Sequence, residues 1–272
     1  MLKQRVLTAI PLAALVIWGI LSQPEDVIFY SLLVVVLISG WEWAKLSGVN
    51  SVFIRVIYAL VIGVAAYFSQ TKLVGDYQAL NMVLSFTVLF WLLAIYHMFS
   101  KGPQPANQSL SLIKLSIGLI ILISPVLALM LIRAESSQWL FYSLSIVWIA
   151  DIGAYFSGKR FGKNKLAPKL SPGKTKEGMY GAVFATSFYS VVAGLLFELQ
   201  AIELLMLLII SALATFISVA GDLFISLLKR EKGLKDTGNI LPGHGGVLDR
   251  IDSVLTSAPL LALLLNLVVF NA

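Results

Sequence analysis

KDTGNILPGHGGVLDRIDS, running from Lys235 to Ser253, lies between two of the most apolar stretches of the chain. Its closing charges, Asp249, Arg250 and Asp252, open a hydrophobic run that continues to about residue 270. A carboxylate at the centre of a membrane helix costs roughly 2.5–3.5 kcal/mol on insertion scales, so acids in such a place need a cation, a water-filled cavity or a task. Composition decides that the setting is a membrane. The 272 residues are 58% hydrophobic and 12% charged, with a mean hydropathy of +0.89, far from the balance of a soluble domain. The chain is expected to be an all-α, polytopic integral membrane helix bundle. It has no cysteine, which excludes disulfides and thiolate metal sites.

Working outward, apolar segments bounded by Gly, Pro, Ser or charge fall at about 6–22, 27–45, 52–68, 78–99, 111–133, 138–156, 178–198, 202–228 and 251–270, which makes nine spans. The first, within MLKQRVLTAIPLAALVIWGIL, lacks a small-residue cleavage site after its apolar core and reads as a retained span. Nine spans place all of the 20 Lys and Arg residues except Lys72 and Arg133 on one side. The positive-inside rule then makes the N-terminus and both long polar loops cytoplasmic and the C-terminus external. Residues 1–135 form an N-terminal region of about five spans. Residues 136–272 are expected to form a C-terminal transmembrane region that carries the candidate functional residues, with cytoplasmic loops at 157–177 and 229–250. Trp41, Trp43, Trp91, Trp139 and Trp148 read as interface anchors or packing residues.

At helical spacing Ser218, Asp222, Ser226 and Lys229 form one polar stripe, and Asp249, Asp252, Ser253 and Thr256 form another on the last span. Ion pairs of these aspartates with Lys229, Arg230 or Arg250 would be one explanation. The material between the stripes suggests more. Gly238, Gly243, Gly245 and Gly246 permit positive φ and close backbone approach, and runs of N–H in such loops can cradle phosphate. The basic residues add donors for anionic oxygens, while the aspartates would repel an anion unless a divalent cation stood between. Oxygen-only ligands suit Mg²⁺. The parts describe a metal–phosphate site. The other long loop carries Ser171-Pro-Gly-Lys174-Thr175 just before a span, which is not Walker spacing, so a P-loop fold is not indicated. Asp151 and Tyr155, one turn apart, should face that loop, whereas Lys163 and Lys165 suit anionic lipid heads.

The stretch Ser226 to Asp252, with Ser-x-Leu-Lys-Arg, Lys235-Asp236, Leu241-Pro242-x-His244-Gly245-Gly246 and Asp249-Arg250-x-Asp252, resembles the signature of phosphatidate cytidylyltransferases, the CDP-diacylglycerol synthases. The upstream D151-I-G-A-Y-F and S171-P-G-K-T-x-E-G, the WEW segment and the multi-span plan are similar to that family too. Lys176 stands where the family commonly has Trp, and Ile152 where it often has a small hydroxyl residue. The resemblance implies transfer of CMP from CTP to phosphatidate, giving CDP-diacylglycerol and pyrophosphate, with one or two Mg²⁺ ions. Under it Asp222 and Asp249 are the leading metal ligands, with Asp252 a further candidate. Lys174, Lys229 and Arg230 join Asp222 and Asp249 in the catalytic set. Ser171, Thr175, Glu177, Ser226, Asp236, His244, Gly245, Gly246 and Arg250 would bind substrate. Expected partners are CTP, phosphatidate in the bilayer and membrane lipids, with no nucleic acid. Oligomeric state stays open, a homo-oligomer included. The expected location is the cell (inner) membrane, with the site facing the cytoplasm. The alternative of a cation-coupled transporter finds no inverted repeat to support it.

Overall fold

The computed structural model describes residues 2–101, 109–168, 170–241, 243 and 245–270. Among these residues are nine α-helices: α1 (Leu2–Ser22), α2 (Glu25–Leu46), α3 (Val52–Leu73), α4 (Tyr77–Lys101), α5 (Leu112–Glu135), α6 (Ser137–Phe161), α7 (Lys176–Leu196), α8 (Ala201–Glu231) and α9 (Leu248–Leu265), which ends in a π-helical turn at Asn266–Phe270. Eight of them, α2 to α9, are long and apolar enough to cross a membrane. Helices suit that setting because each satisfies its own backbone hydrogen bonds. Hydroxyl N-caps set several starts: Ser51, Ser111, Ser136 and Thr175 accept from the backbone N–H three residues on.

The helix ends agree with the expected spans to within a few residues. One element was not expected. Residues of the 157–177 loop pair as a small antiparallel hairpin, β1 (Lys165–Ala167) with β2 (Ser171–Thr175).

α5 and α9 form the centre. α5 is apolar on every side and buried almost continuously from Ile121 to Ile132, as an enclosed helix should be. α3 and α4 lie at the periphery with large apolar side chains such as Phe53 and Phe86 exposed, the surface a bilayer would cover. Trp43 and Trp91 prove to be core residues. The Trp91 indole N–H donates to the Leu255 carbonyl at 3.1 Å. Pro259 explains this bond: lacking an N–H, it leaves the carbonyl four residues earlier without its helical partner, and α4 supplies one.

Polar pairs hold α6, α7 and α8 together below the apolar surface. The Tyr142 hydroxyl bonds with Ser190 at 2.8 Å, Thr215 donates to Thr186 at 2.9 Å, and Ser145 bonds with Tyr189 at 2.6 Å. Such bonds contribute modestly in a membrane but fix which faces meet. On the α6–α7 face, a Cβ on Gly153 would run into the Gly181 carbonyl, so the two backbones approach as closely as glycine permits.

Candidate active site

The hairpin, the end of α8 and the start of α9 meet at one end of the bundle. The 31-residue α8 is about 46 Å long, against a hydrocarbon core of about 30 Å. Asp222 lies about 32 Å along it, where a span that begins at the far boundary would be emerging.

The hairpin is held from below. Thr175 caps α7 by accepting from the Gly178 N–H at 3.1 Å. Glu177, in the first turn, accepts from the Lys163 N–H at 3.1 Å, the Asn164 N–H at 3.2 Å and the Asn164 side-chain amide at 2.7 Å. Both side chains, expected to meet substrate, are thus engaged by the loop itself. That clamp directs Lys174 inward, and its Nζ lies 2.5 Å from Asp222 Oδ2.

Along α8 the polar stripe is real: Ser226 Oγ donates to Asp222 Oδ1 at 3.4 Å, one turn away. The Asp252 carboxyl of α9 lies within hydrogen-bonding reach of Asp222. A backbone approach allows this, since a Cβ on Gly221 would strike Thr256 and the Asp252 carbonyl. Asp151 of α6 is close enough to feel the charges of Lys174, Asp222 and Arg250. With Tyr155, Gly173, Lys174 and Thr175 it lines a cavity of about 280 Å³. This is room for a phosphate headgroup more than for a whole nucleotide.

Asp249 has a different neighbourhood. Its Oδ1 takes Lys229 Nζ at 2.7 Å, and its Oδ2 accepts from the Thr237 N–H at 2.8 Å and the Gly246 N–H at 3.0 Å, with the Thr237 hydroxyl oxygen 3.0 Å away. Lys229 also acts on Asp222, so the two acids share a cation although Asp222 meets Asp252 directly. Gly243 and Gly245 turn the loop through φ of 77° and 82°, values open chiefly to glycine, and Leu241 bridges to Gly245. Gly246 carries no side chain because the Thr237 hydroxyl and a second carboxylate occupy that space.

That second carboxylate is Glu42 of α2. Only 1% exposed, it accepts from the Thr237 hydroxyl at 2.8 Å, the Val247 N–H at 3.1 Å and the Leu248 N–H at 2.8 Å. It does the work of an N-cap for α9 from another helix, satisfying orphan amides at the positive end of the dipole. Neither Glu42 nor Thr237 was among the residues expected at the site. The available signal was an acid about one turn before the end of an apolar stretch.

The remaining expected residues surround this cluster. Arg230, Asp236 and Arg250 are exposed and Ser171 is half-buried at the same end. His244 and Pro242 lie outside the described residues. Lys232, just past α8, donates to the Ser109 carbonyl at 3.0 Å. Its ammonium is held below the usual lysine range, first by burial and then by the charge of Lys114. Lys114 in turn pairs with Glu231 at 2.8 Å, tying the end of α8 to α5.

Two carboxylates in contact, an inward lysine and an arginine-bearing rim can hold a phosphorylated ligand through a hard cation. Among the described residues no three acidic or histidine side chains form a ready-made metal cage. A pair of carboxylates completed by ligand phosphates is the arrangement Mg²⁺ commonly uses, so the donor set fits that ion.

Comparison with known proteins shows the family. A family model described as "Cytidylyltransferase family" matches residues 3–268. Phosphatidate cytidylyltransferase of Pseudomonas aeruginosa is 38% identical over 275 residues, covering 97% of each chain. The Haemophilus influenzae protein of the same name is 35% identical over 285 residues, covering 95% of this chain and 96% of its own. The Bacillus subtilis protein of that name is 44% identical over 129 residues, 47% of this chain and 48% of its own. With the match running the length of the bundle, the chain belongs to the cytidylyltransferase family.

Proposed function

We propose that the chain is a phosphatidate cytidylyltransferase, forming CDP-diacylglycerol and pyrophosphate from CTP and phosphatidate. The full-length family match carries this reading, and the site chemistry accords with it. A phosphate oxygen of phosphatidate attacks the α-phosphorus of CTP. The bond from the α-phosphorus to the bridging oxygen breaks, and pyrophosphate leaves with the electron pair. An ionised phosphate nucleophile needs no strong base, so His244 has no required role as one. Catalysis then rests on holding two polyanions together and balancing their charge.

In this reading Lys174 holds the phosphatidate head in the cavity beside Asp151. Arg230 and Arg250 draw the triphosphate to the open rim. Asp222 and Asp252 would hold Mg²⁺, and Asp249 orders the glycine loop that brings them together. When bound, the ion neutralises phosphate charge and orients the reacting oxygens. The protein sits in the bacterial cell membrane with this end in the cytoplasm, the side on which the basic residues concentrate.

The test supplies the purified protein with phosphatidate, Mg²⁺ and CTP labelled at either the α- or the γ-phosphate. α-Label in the lipid and γ-label in pyrophosphate is the expected outcome. γ-Label in the lipid would identify a kinase, and label in neither would overturn the reading.

A further inference from the structure

We propose that Asp151 selects a phosphate monoester for the cavity beside the hairpin, its carboxylate accepting a hydrogen bond from the P–OH of phosphatidate while Lys174 takes an ionised oxygen. The inference rests on the transfer reaction proposed above and assigns the group that tells its lipid headgroup from others. Asp151 stands 14 residues from the start of α6, about 21 Å along the helix, whereas crossing a hydrocarbon core takes about 30 Å. A charge at that depth calls for a polar cavity or a partner. Asp222, Asp249 and Asp252 have donors at hand, from Lys174, Lys229 and the Ser253 N–H respectively. Among the described residues none donates to Asp151 or pairs with it, although it lines the cavity. Its acceptor oxygens are left for a ligand.

The walls are complementary to one kind of phosphate. Lys174 on β2 and Asp151 on α6 line the same space, close enough to feel each other's charge but without forming an ion pair. One wall donates and the other accepts. A phosphate monoester has its second pKa at about 6, so near neutrality it readily carries both an ionised oxygen and a P–OH, the two groups these walls would take. A phosphodiester has no P–OH. It can offer Asp151 only acceptor oxygens and negative charge, and an acceptor set against a carboxylate weakens binding. Diester phospholipids of the surrounding bilayer share the glycerol and acyl chains of phosphatidate, so hydrocarbon contacts cannot separate the two classes. The headgroup must do it. Lys174 alone would not, because an ammonium meets either phosphate as a point charge. Asp222 of α8 and Arg250 of α9 also act on Asp151 through their charge, yet Asp222 already holds Lys174 and a guanidinium favours both classes alike.

The experiment compares phosphatidate with its methyl ester, a diester bearing the same chains, in displacing radiolabelled phosphatidate from the purified protein in mixed micelles. The wild-type protein should bind the monoester about 10- to 100-fold more tightly, the scale of one hydrogen bond to a charged group. Asp151→Asn removes the negative charge at nearly constant volume, so it should weaken phosphatidate and tighten the methyl ester, bringing the two to within about threefold. Tighter binding of one ligand is a gain that a misfolded variant cannot give, and thermal unfolding checks the fold independently. Equal affinities in the wild-type protein would overturn the proposal. So would a preference that survives Asp151→Asn, which would mean that the methyl group is excluded by its size. A raised Mg²⁺ requirement for transfer in Asp151→Asn, with the lipid preference intact, would assign the carboxylate to the cation and overturn the proposal as well. Absence of transfer from CTP by the wild-type protein, with phosphatidate binding retained, would instead refute the reaction on which the inference rests.

Discussion

Replacing Glu42 with Gln tests whether α2 caps the site helix. The carboxylate accepts one hydroxyl and two backbone N–H bonds in a dry setting. Gln keeps the shape but replaces one acceptor oxygen by an amide nitrogen, which must then face donors of its own kind. Hydrogen bonds to a charged acceptor contribute about 1.5–3 kcal/mol each, and the helix dipole adds about 0.3–1 kcal/mol for a negative charge at its N-terminus. The lost bond, whose cost includes the buried N–H left without an acceptor, and the lost charge together amount to about 2–4 kcal/mol. At about 2–4 °C per kcal/mol, Tm should fall by about 5–15 °C. Thermal unfolding in a fixed detergent reads this directly. Because α9 carries Asp249 and Asp252, activity at 25 °C should fall as well, and Thr237→Val combined with Glu42→Gln should cost less than the sum of the single changes. A Tm within about 2 °C of wild type, with normal turnover, would refute the capping role.

Asp222→Asn and Asp252→Asn should each nearly abolish transfer without changing Tm much, whereas Asp249→Asn should lose activity and stability together, because its carboxylate orders Thr237 and Gly246. A titration of activity against Mg²⁺, alongside thermal unfolding, separates the two outcomes. Lys174→Ala should lower kcat/KM by about 100-fold or more, the scale of losing one charge-stabilising group at a phosphate, while Lys163→Ala stays near wild type; equal effects would remove the hairpin from the site. Trp91→Phe keeps an aromatic ring but leaves a small cavity and strands the Leu255 carbonyl, for a loss of at least about 1–2 kcal/mol seen as a lower Tm, and an unchanged Tm would show that carbonyl satisfied otherwise. Tags before Met1 and after Ala272 should report opposite sides of the membrane; the same side for both would contradict nine spans.

The helices were legible because a bilayer imposes a length and an apolar composition that single segments display by themselves. The polar stripe on α8 was legible for the same reason: Asp222 and Ser226 interrupt an apolar helix at one-turn spacing. What the chain's local pattern could not supply was the choice of partner. Asp222 and Asp249 carry the same kind of stripe, yet Gly221 brings Asp252 to Asp222 while the turning loop encloses Asp249. Glu42 was missed because its role exists only across helices, and an acid near a span end has ordinary explanations. The β1–β2 hairpin was hidden by its own composition, since Lys, Pro and Gly in an eleven-residue stretch read as loop.

The contact between α2 and the start of α9 also has a consequence for how the protein is made. Glu42 leaves the ribosome long before Thr237 and Leu248, which follow 195 and 206 residues later. At about 5–20 residues per second that delay is about 10–40 s, during which a carboxylate in a span has none of its final donors. Its position within two turns of the end of α2 lets it wait in contact with interfacial water or phospholipid heads. Withdrawal into the interior can follow only once the last loop has been synthesised. A chain interrupted before residue 237 therefore keeps this acid in contact with water at the membrane surface, because the donors that would bury it do not yet exist.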